Sequence, residues 1–317
     1  MALRVVFFGN SNSVFSLLHF QALLKEKIEL VCVVDSPRNK RGSTNPLSPG
    51  FQGLRQALRG TETSIVEPES PNEAAFVNDL ARKSPDLFVS VGYTNILKEA
   101  ILSLPRLFAV NFHASLLPLY RGKHPIFWCL RNGERRSGLT VHVMDPGIDT
   151  GDILYQVHVR VFKQDTIERL YDRIIARSLP LISRLIQECR LGTIKFSPQP
   201  PEQGSYFSSI SDEDFRILWS GKAETIRRWI TITPGRCYTD IGGYRLNFKS
   251  ASVVRTDDSP PPGTILSLGS RRGVVAALDG GVSLNRVQCE SLQAASFAEC
   301  LRQLGYRAGD ILGETLN

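Results

Sequence analysis

A chain of 317 residues, 42% apolar and 22% charged, is long enough for about two domains and ordinary in composition. These values exclude a disordered chain, a collagen-like repeat and a coiled coil, and no apolar stretch approaches the ~20 residues that span a bilayer. Thirty-eight basic against 31 acidic residues leave a net charge of +7. Five of the basic ones (Arg38, Lys40, Arg41, Arg55 and Arg59) fall between residues 36 and 60 with no acidic residue among them, a distribution that attracts polyanions such as RNA.

Residues 4–8, 28–34, 86–91 and 107–112 are short apolar runs rich in Val, Phe and Ile, and they predict buried strands. Between them, 14–25, 53–58 and 71–83 carry helical spacing. Strand, helix, strand in this order predicts right-handed crossovers and a parallel sheet covered on both faces. Residues 138–145 and 153–161 predict two further strands, joined by the turn Pro146-Gly147-Ile148-Asp149-Thr150-Gly151. Asp165-Thr166-Ile167-Glu168 resembles a capping box, and the apolar steps that follow predict a long amphipathic helix, kinked at Pro180 and ending near Gly192.

Ser197-Pro198-Gln199-Pro200-Pro201 reads as a linker. Beyond it the texture changes. A helix is predicted over 222–232, then five short strands over 236–241, 244–254, 263–268, 273–278 and 281–287, separated by glycine-rich turns. That pattern predicts a small β-barrel of OB type. The six cysteines form no C-x-x-C pair and the five histidines show no ligand spacing. Reduced thiols, a cytoplasmic location and no metal site are therefore expected.

One segment concentrates the chemistry: Asn111-Phe112-His113-Ala114-Ser115-Leu116-Leu117-Pro118-Leu119-Tyr120-Arg121-Gly122. Asn111 and His113, two apart at a strand end, project to one face, where ligands bind in open α/β sheets. Asp149 lies in a tight turn able to return a carboxylate to the same sheet edge. Asn, His and Asp meeting at one point suit acyl transfer to an amine. The amide and the imidazole can donate to a developing oxyanion, while the carboxylate orients the imidazole and helps take the amine's proton. The amine itself is the nucleophile, so no Ser or Cys is needed. His142 and His158, inside predicted strands, read as packed or surface histidines.

Asn-x-His-x-Ser-Leu-Leu-Pro with Arg-Gly after it, followed by Asp-Pro-Gly-Ile-Asp-Thr-Gly-Asp-Ile-Leu, resembles the 10-formyltetrahydrofolate-dependent formyltransferase family. The resemblance covers nearly the whole chain. It implies a Rossmann-like, parallel-sheet formyltransferase domain over 1–195, a linker over 196–206 and an OB-like β-barrel domain over 207–317. It implies that Asn111, His113 and Asp149 are the catalytic trio, with Ser115 supporting their loop. It also implies that 10-formyltetrahydrofolate is the formyl donor. Gly92, Tyr93, Asn95 and Ile96 would line one wall of the folate pocket, and Met144, Asp145, Gly147 and Ile148 the other.

Within that family the layout is most similar to that of the enzymes that formylate methionyl-tRNA, so the expected acceptor is that amino group. Asn10 and Ser11, in the turn after the first strand, match the place where the acceptor amine is received. Arg38, Lys40 and Arg41 match a basic acceptor loop. Where tRNA-directed members follow Arg-Gly with Ala-Ala-Pro-Ile, this chain has Lys123-His124-Pro125-Ile126. Lys123 and His124 thus suit a small anionic acceptor, and an amino sugar or amino acid derivative is the alternative. A non-catalytic RNA-binding protein on the same fold is the reading from another class.

Overall fold

Strand β1 (Arg4–Gly9) is apolar on both faces, with Val5, Val6, Phe7 and Phe8 fully buried, and this places it at the centre of a sheet. The coordinates form a computed structural model that describes residues 2–37, 53–257, 260–289, 292 and 296–312. Arg38, Lys40 and Arg41 lie outside the described residues. The chain divides into two compact units. Met1–Trp128, Arg135–Val161 and Glu168–Ser208 form the first; Cys129–Glu134, Phe162–Ile167 and Ser209–Asn317 form the second.

In the first unit β1 leads through α1 (Val14–Leu23) to β2 (Glu29–Asp35), and then through α2 (Gly53–Ala57) to β3 (Ile65–Val66). The chain next crosses back through α3 (Ala74–Arg82) to β4 (Leu87–Val91), and α4 (Glu99–Leu102) leads to β5 (Phe108–His113). These five strands pair in parallel. After β6 (Arg121–Gly122) and α5 (Pro125–Asn132), β7 (Arg136–Val143) and β8 (Ile153–Arg160) complete the sheet as an antiparallel pair. The spatial order is β3-β2-β1-β4-β5-β7-β8. Strand order reverses between β1 and β4, so the crevice beyond their carboxyl ends is the binding position of such a sheet.

The predicted long helix divides into α6 (Ile167–Ser178) and α7 (Pro180–Leu191). Pro180 takes the first position of α7, where its missing N–H has no intrahelical acceptor to serve. Gly192, at φ 64°, closes α7 in the left-handed conformation.

Residues 196–206, expected as a linker, are fastened within the first unit. Ser197 exchanges backbone hydrogen bonds with Ile153, and Ser205 bonds Pro118, Tyr120 and Arg121. Strand β9 (Tyr206–Phe207) then pairs in parallel with β6.

The second unit holds α8 (Ala223–Ile232) and an antiparallel β domain. Its strands are β10 (Tyr238–Ile241), β11 (Tyr244–Phe248), β12 (Ala251–Val254), β13 (Ile265–Leu268), β14 (Gly273–Ala277), β15 (Gly280–Leu284) and β16 (Val287–Gln288), with α9 (Phe297–Gln303) after them. They form two sheets, β10-β11-β16 and β12-β15-β14-β13, around Ile226, Leu246, Phe248, Val275, Val282 and Phe297. The run 244–254, predicted as one strand, breaks at Lys249-Ser250, and its halves pair with different neighbours. Tyr238 and Phe248 are both buried and offer no stacking platform for bases. Among the described residues, no helix is long and apolar enough to cross a membrane.

Candidate active site

Asn111 and His113 end β5, and β7 runs antiparallel beside it with His142 directly opposite Asn111. The turn after β7 carries Asp149 back over this edge. Asp149 has a left-handed backbone, φ 54°, a conformation that Asp tolerates better than most residues. Gly151 permits the close return of the chain: a Cβ there would stand 2.1 Å from the carbonyl oxygen of Val143. The Thr150 hydroxyl donates to the Asp145 carboxylate at 2.7 Å and ties the turn across its own base.

The trio expected from sequence does converge. Asn111 Nδ2 donates to Asp149 Oδ1 at 3.3 Å, and His113 Nδ1 lies 3.6 Å from Asp149 Oδ2. Gly122 donates its backbone N–H to the same Oδ2 at 2.9 Å. His113 is buried, and its Nε2 lies 2.8 Å from the carbonyl oxygen of Tyr120. A carbonyl oxygen only accepts, so Nε2 carries hydrogen and Nδ1 is the nitrogen that faces Asp149. Ser115 supports the loop as expected. Its hydroxyl donates to Leu119 O at 2.7 Å, and its carbonyl accepts from Thr140 Oγ1 at 2.7 Å.

A fourth side chain joins the cluster. His142, 2% exposed, is packed as its strand position predicts, but its Nε2 stands 3.3 Å from both Asp149 Oδ1 and Asn111 Nδ2. Its Nδ1 lies 2.7 Å from Val143 O and so carries a hydrogen; Nε2 accepts from the Asn111 amide in the neutral ring and donates to Asp149 Oδ1 in the protonated one. The sequence signal was present in the alternation of β7, but only the pairing of β7 with β5 tells which face that histidine occupies.

Burial pushes the Asp149 carboxyl up. The charge of His113, the hydrogen bond and charge of His142 and the Gly122 N–H outweigh it, holding Asp149 well below the usual carboxylate range. The site therefore presents a largely buried, ionised carboxylate flanked by one amide and two imidazoles. Such a set can accept a proton at Asp149 and donate hydrogen bonds from Asn111 and His113 to an oxygen that gains charge.

The two loops expected to hold a folate meet on one core. Tyr93 and Met144 both pack against the cluster containing Phe8, Phe88, Leu97 and Ala109. Burial pushes the Tyr93 hydroxyl's ionisation above its ordinary range. Ile96 and Ile148 are 61% and 41% exposed, and Gly92 and Gly147 are exposed beside them in sequence. Asp145 is engaged by Thr150 as described above, and Thr94 Oγ1 is buried with no hydrogen-bond partner. Exposed apolar side chains on both loops, with an unsatisfied buried hydroxyl on one of them, suit a flat heterocycle with polar edges.

The residues expected to receive the acceptor differ from one another. Asn10 and Ser11 are buried and serve the turn itself: Asn10 Oδ1 accepts from Asn12 N at 2.9 Å, and the Ser11 hydroxyl donates to Asp35 at 2.5 Å. Their side chains do not face outward. Lys123 is exposed and His124 half-buried, at the start of α5.

Sequence reasoning missed Gln199, in the segment read as linker. Its Nε2 donates to Asp149 O at 2.9 Å and to Gly151 O at 2.7 Å.

Residues 3–185 match the family described as "Formyl transferase", and residues 209–305 match "Formyl transferase, C-terminal domain". The chain is 32% identical over 268 residues to a methionyl-tRNA formyltransferase of Caldanaerobacter subterraneus subsp. tengcongensis, covering 83% of this chain and 85% of that one. It is 30% identical over 317 residues to a methionyl-tRNA formyltransferase of Pseudomonas fluorescens, covering 99% and 98%. Among solved structures, an N-formyltransferase from Helicobacter canadensis, crystallised with folinic acid and dTDP-3-aminofucose, superposes with a TM-score of 0.64. Its identity is 18%, and the match covers 91% of this chain and all of that one. At that identity the likeness is one of fold.

Proposed function

The chain belongs to the formyl transferase family, and on that premise we propose that it moves a formyl group from 10-formyltetrahydrofolate to the amino group of methionyl-tRNA. The observation that carries the chemistry is the convergence of Asn111, His113 and Asp149 on one partly open point at the sheet's carboxyl edge. The acceptor rests on relatives of that activity matching nearly the full chain. The unopposed charges of Arg38, Lys40 and Arg41 supply attraction for a polyanion.

The donor brings an electrophilic formyl carbon. The loops carrying Tyr93, Thr94 and Ile96 and carrying Met144 and Ile148 would hold its heterocycle. A protonated amine has no lone pair, so attack needs a base. Asp149, ionised at neutral pH, is the group placed to take that proton, directly or through one water. As Asp149 takes the amine's proton, the Asn111 Nδ2–H that pointed to its Oδ1 turns to the formyl oxygen and, with protonated His113 Nδ1–H, donates to it as negative charge builds there. One carbon–nitrogen bond forms and one breaks, and the proton lost by the amine is regained by the departing nitrogen.

Purified protein mixed with 10-formyltetrahydrofolate and either methionyl-tRNA or a panel of small amines decides the acceptor. Release of tetrahydrofolate is expected with the charged tRNA. Release with an amino sugar or amino acid derivative, and none with the tRNA, overturns the acceptor while leaving the chemistry standing.

A further inference from the structure

Asp149 is held through its main chain as well as its carboxylate. Gln199, itself buried, spends both hydrogens of its amide on the carbonyls of Asp149 and Gly151, at 2.9 and 2.7 Å. Its Oε1 accepts twice from Arg121, from Nε at 3.2 Å and from one terminal nitrogen at 2.8 Å. The residue after Arg121 is Gly122, whose N–H grips Asp149 Oδ2 at 2.9 Å. The contacts close a ring: carboxylate to Gly122, along the chain to Arg121, across to Gln199, and back to the peptide of Asp149.

The ring bears on catalysis because of the backbone it holds. A non-glycine residue at φ 54° sits in a sparsely populated conformation that persists only where its surroundings over-determine it. In the turn Asp145–Gly151 the internal tie is the Thr150–Asp145 pair, at the base and not at Asp149. The outer tie comes from the segment after α7. Ser197 pairs with Ile153, and Ser205 and β9 grip Tyr120 and β6 on the other side. The strap thus spans the two loops that carry His113's carbonyl partner and Asp149, and Gln199 is its point of contact with the latter.

We propose that Gln199 is the positioning residue for Asp149, and that the strap of residues 197–207 sets the geometry of the carboxylate relative to His113 and Asn111. This rests on the formyl-transfer reading for its kinetic consequence, though not for the geometry. Without the amide the peptide of Asp149 is released on one side, and its carboxylate drifts from Gly122 and His142. A shift of about 1 Å at a reacting group lowers turnover by about 100-fold.

Gln199→Met has the same length and no hydrogen-bond donor, and so separates positioning from space-filling. With methionyl-tRNA, kcat is expected to fall about 10- to 100-fold while the Michaelis constant for the donor stays within about twofold. The carbon-13 resonance of the Asp149 carboxyl, titrated in the full chain without substrates, is expected to shift its midpoint upward. Arg121→Gln, which keeps Gln199 but removes its guanidinium anchor, is expected to move both readouts in the same direction by less, and it tests the ring if the methionine variant fails to fold. Wild-type kcat and an unmoved Asp149 titration in a folded methionine variant overturn the proposal. If the wild-type chain formylates no acceptor, the functional reading fails, and the carboxyl titration still decides whether Gln199 holds Asp149.

Discussion

The carbonyl oxygen of Tyr120 lies 2.8 Å from His113 Nε2, and this contact determines which nitrogen of His113 faces Asp149. With Nε2–H committed to a main-chain acceptor, Nδ1 is turned to Asp149 Oδ2 at 3.6 Å. That separation is longer than a hydrogen bond and short enough for an ion pair. Asn111 meets the other carboxylate oxygen at 3.3 Å. Catalytic contacts of this kind are often loose before substrate binds and tighten around it.

Removing any member of the trio should therefore cost most of the turnover. His113→Ala and Asp149→Ala are each expected to lower kcat more than about 100-fold, the scale of lost proton transfer or oxyanion donation. Asp149→Asn keeps the shape and loses the charge, and should be nearly as slow. Single-turnover measurement of tetrahydrofolate release tests this. Near-normal rates in both alanine variants would remove the trio from the reaction.

His142 should control when Asp149 takes its proton. The carboxyl is held low although burial raises it, and His142 is one of the groups that lower it. A depressed carboxyl acts as a base above its folded pKa and is lost as pH falls through that value. His142→Phe keeps a buried ring and removes the nitrogen, so the pKa of Asp149 rises and the low-pH limb of kcat/KM moves to higher pH. A low-pH limb that stays in place would show that His142 only packs.

The parallel core of the fold was legible because β1, β2, β4 and β5 are buried on both faces and read as continuous apolar runs. The trio was legible because Asn111 and His113 share a strand-end alternation and Asp149 sits among turn-forming glycines. Gln199 and His142 were not, for one physical reason. Their roles come from pairing between distant segments: β7 against β5, and Ser197 against Ile153. Nothing local marks which glutamine will cap two carbonyls 48 and 50 residues away. Proline-rich sequence at 198–201 signals an extended chain, and an extended chain can be a linker or a strap. The side chains of Asn10 and Ser11 are turned inward: Asn10 Oδ1 accepts from Asn12 N within its own turn, and the Ser11 hydroxyl donates to the Asp35 carboxylate on the neighbouring strand.

Stability should carry the signature of His19. This ring is buried between α1 and α6, with Nδ1 2.8 Å from Phe15 O and Nε2 2.8 Å from the Ser178 hydroxyl. Burial lowers its pKa from 6.5 to about 4, against the smaller opposing effect of the Phe15 carbonyl. Below 6.5 the unfolded chain binds a proton that the folded chain refuses until about 4, so stability present at neutral pH is lost across that window. The loss amounts to about 3 kcal/mol. Urea unfolding of the wild type at pH 7 and pH 4.5, set against His19→Gln, should show a pH dependence that the variant lacks. Equal slopes would mean that His19 is not buried as a neutral ring.

Gly122 and Gly192 separate backbone strain from steric exclusion. Both have positive φ, 93° and 64°. A Cβ at Gly192 meets nothing within 4 Å, so Gly192→Ala carries only the left-handed backbone penalty, about 1 kcal/mol, and activity should hold. A Cβ at Gly122 would stand 2.2 Å from Phe207 O, inside the β6–β9 pairing that also presents the N–H bound to Asp149. Gly122→Ala must push β9 away or twist that N–H off the carboxylate. Turnover is then expected to fall at least about 10-fold, with a loss of stability larger than at Gly192. Thermal melts and kcat measured side by side discriminate the two cases. Equal activity in both variants would mean that the Gly122 N–H contributes nothing to the carboxylate's function.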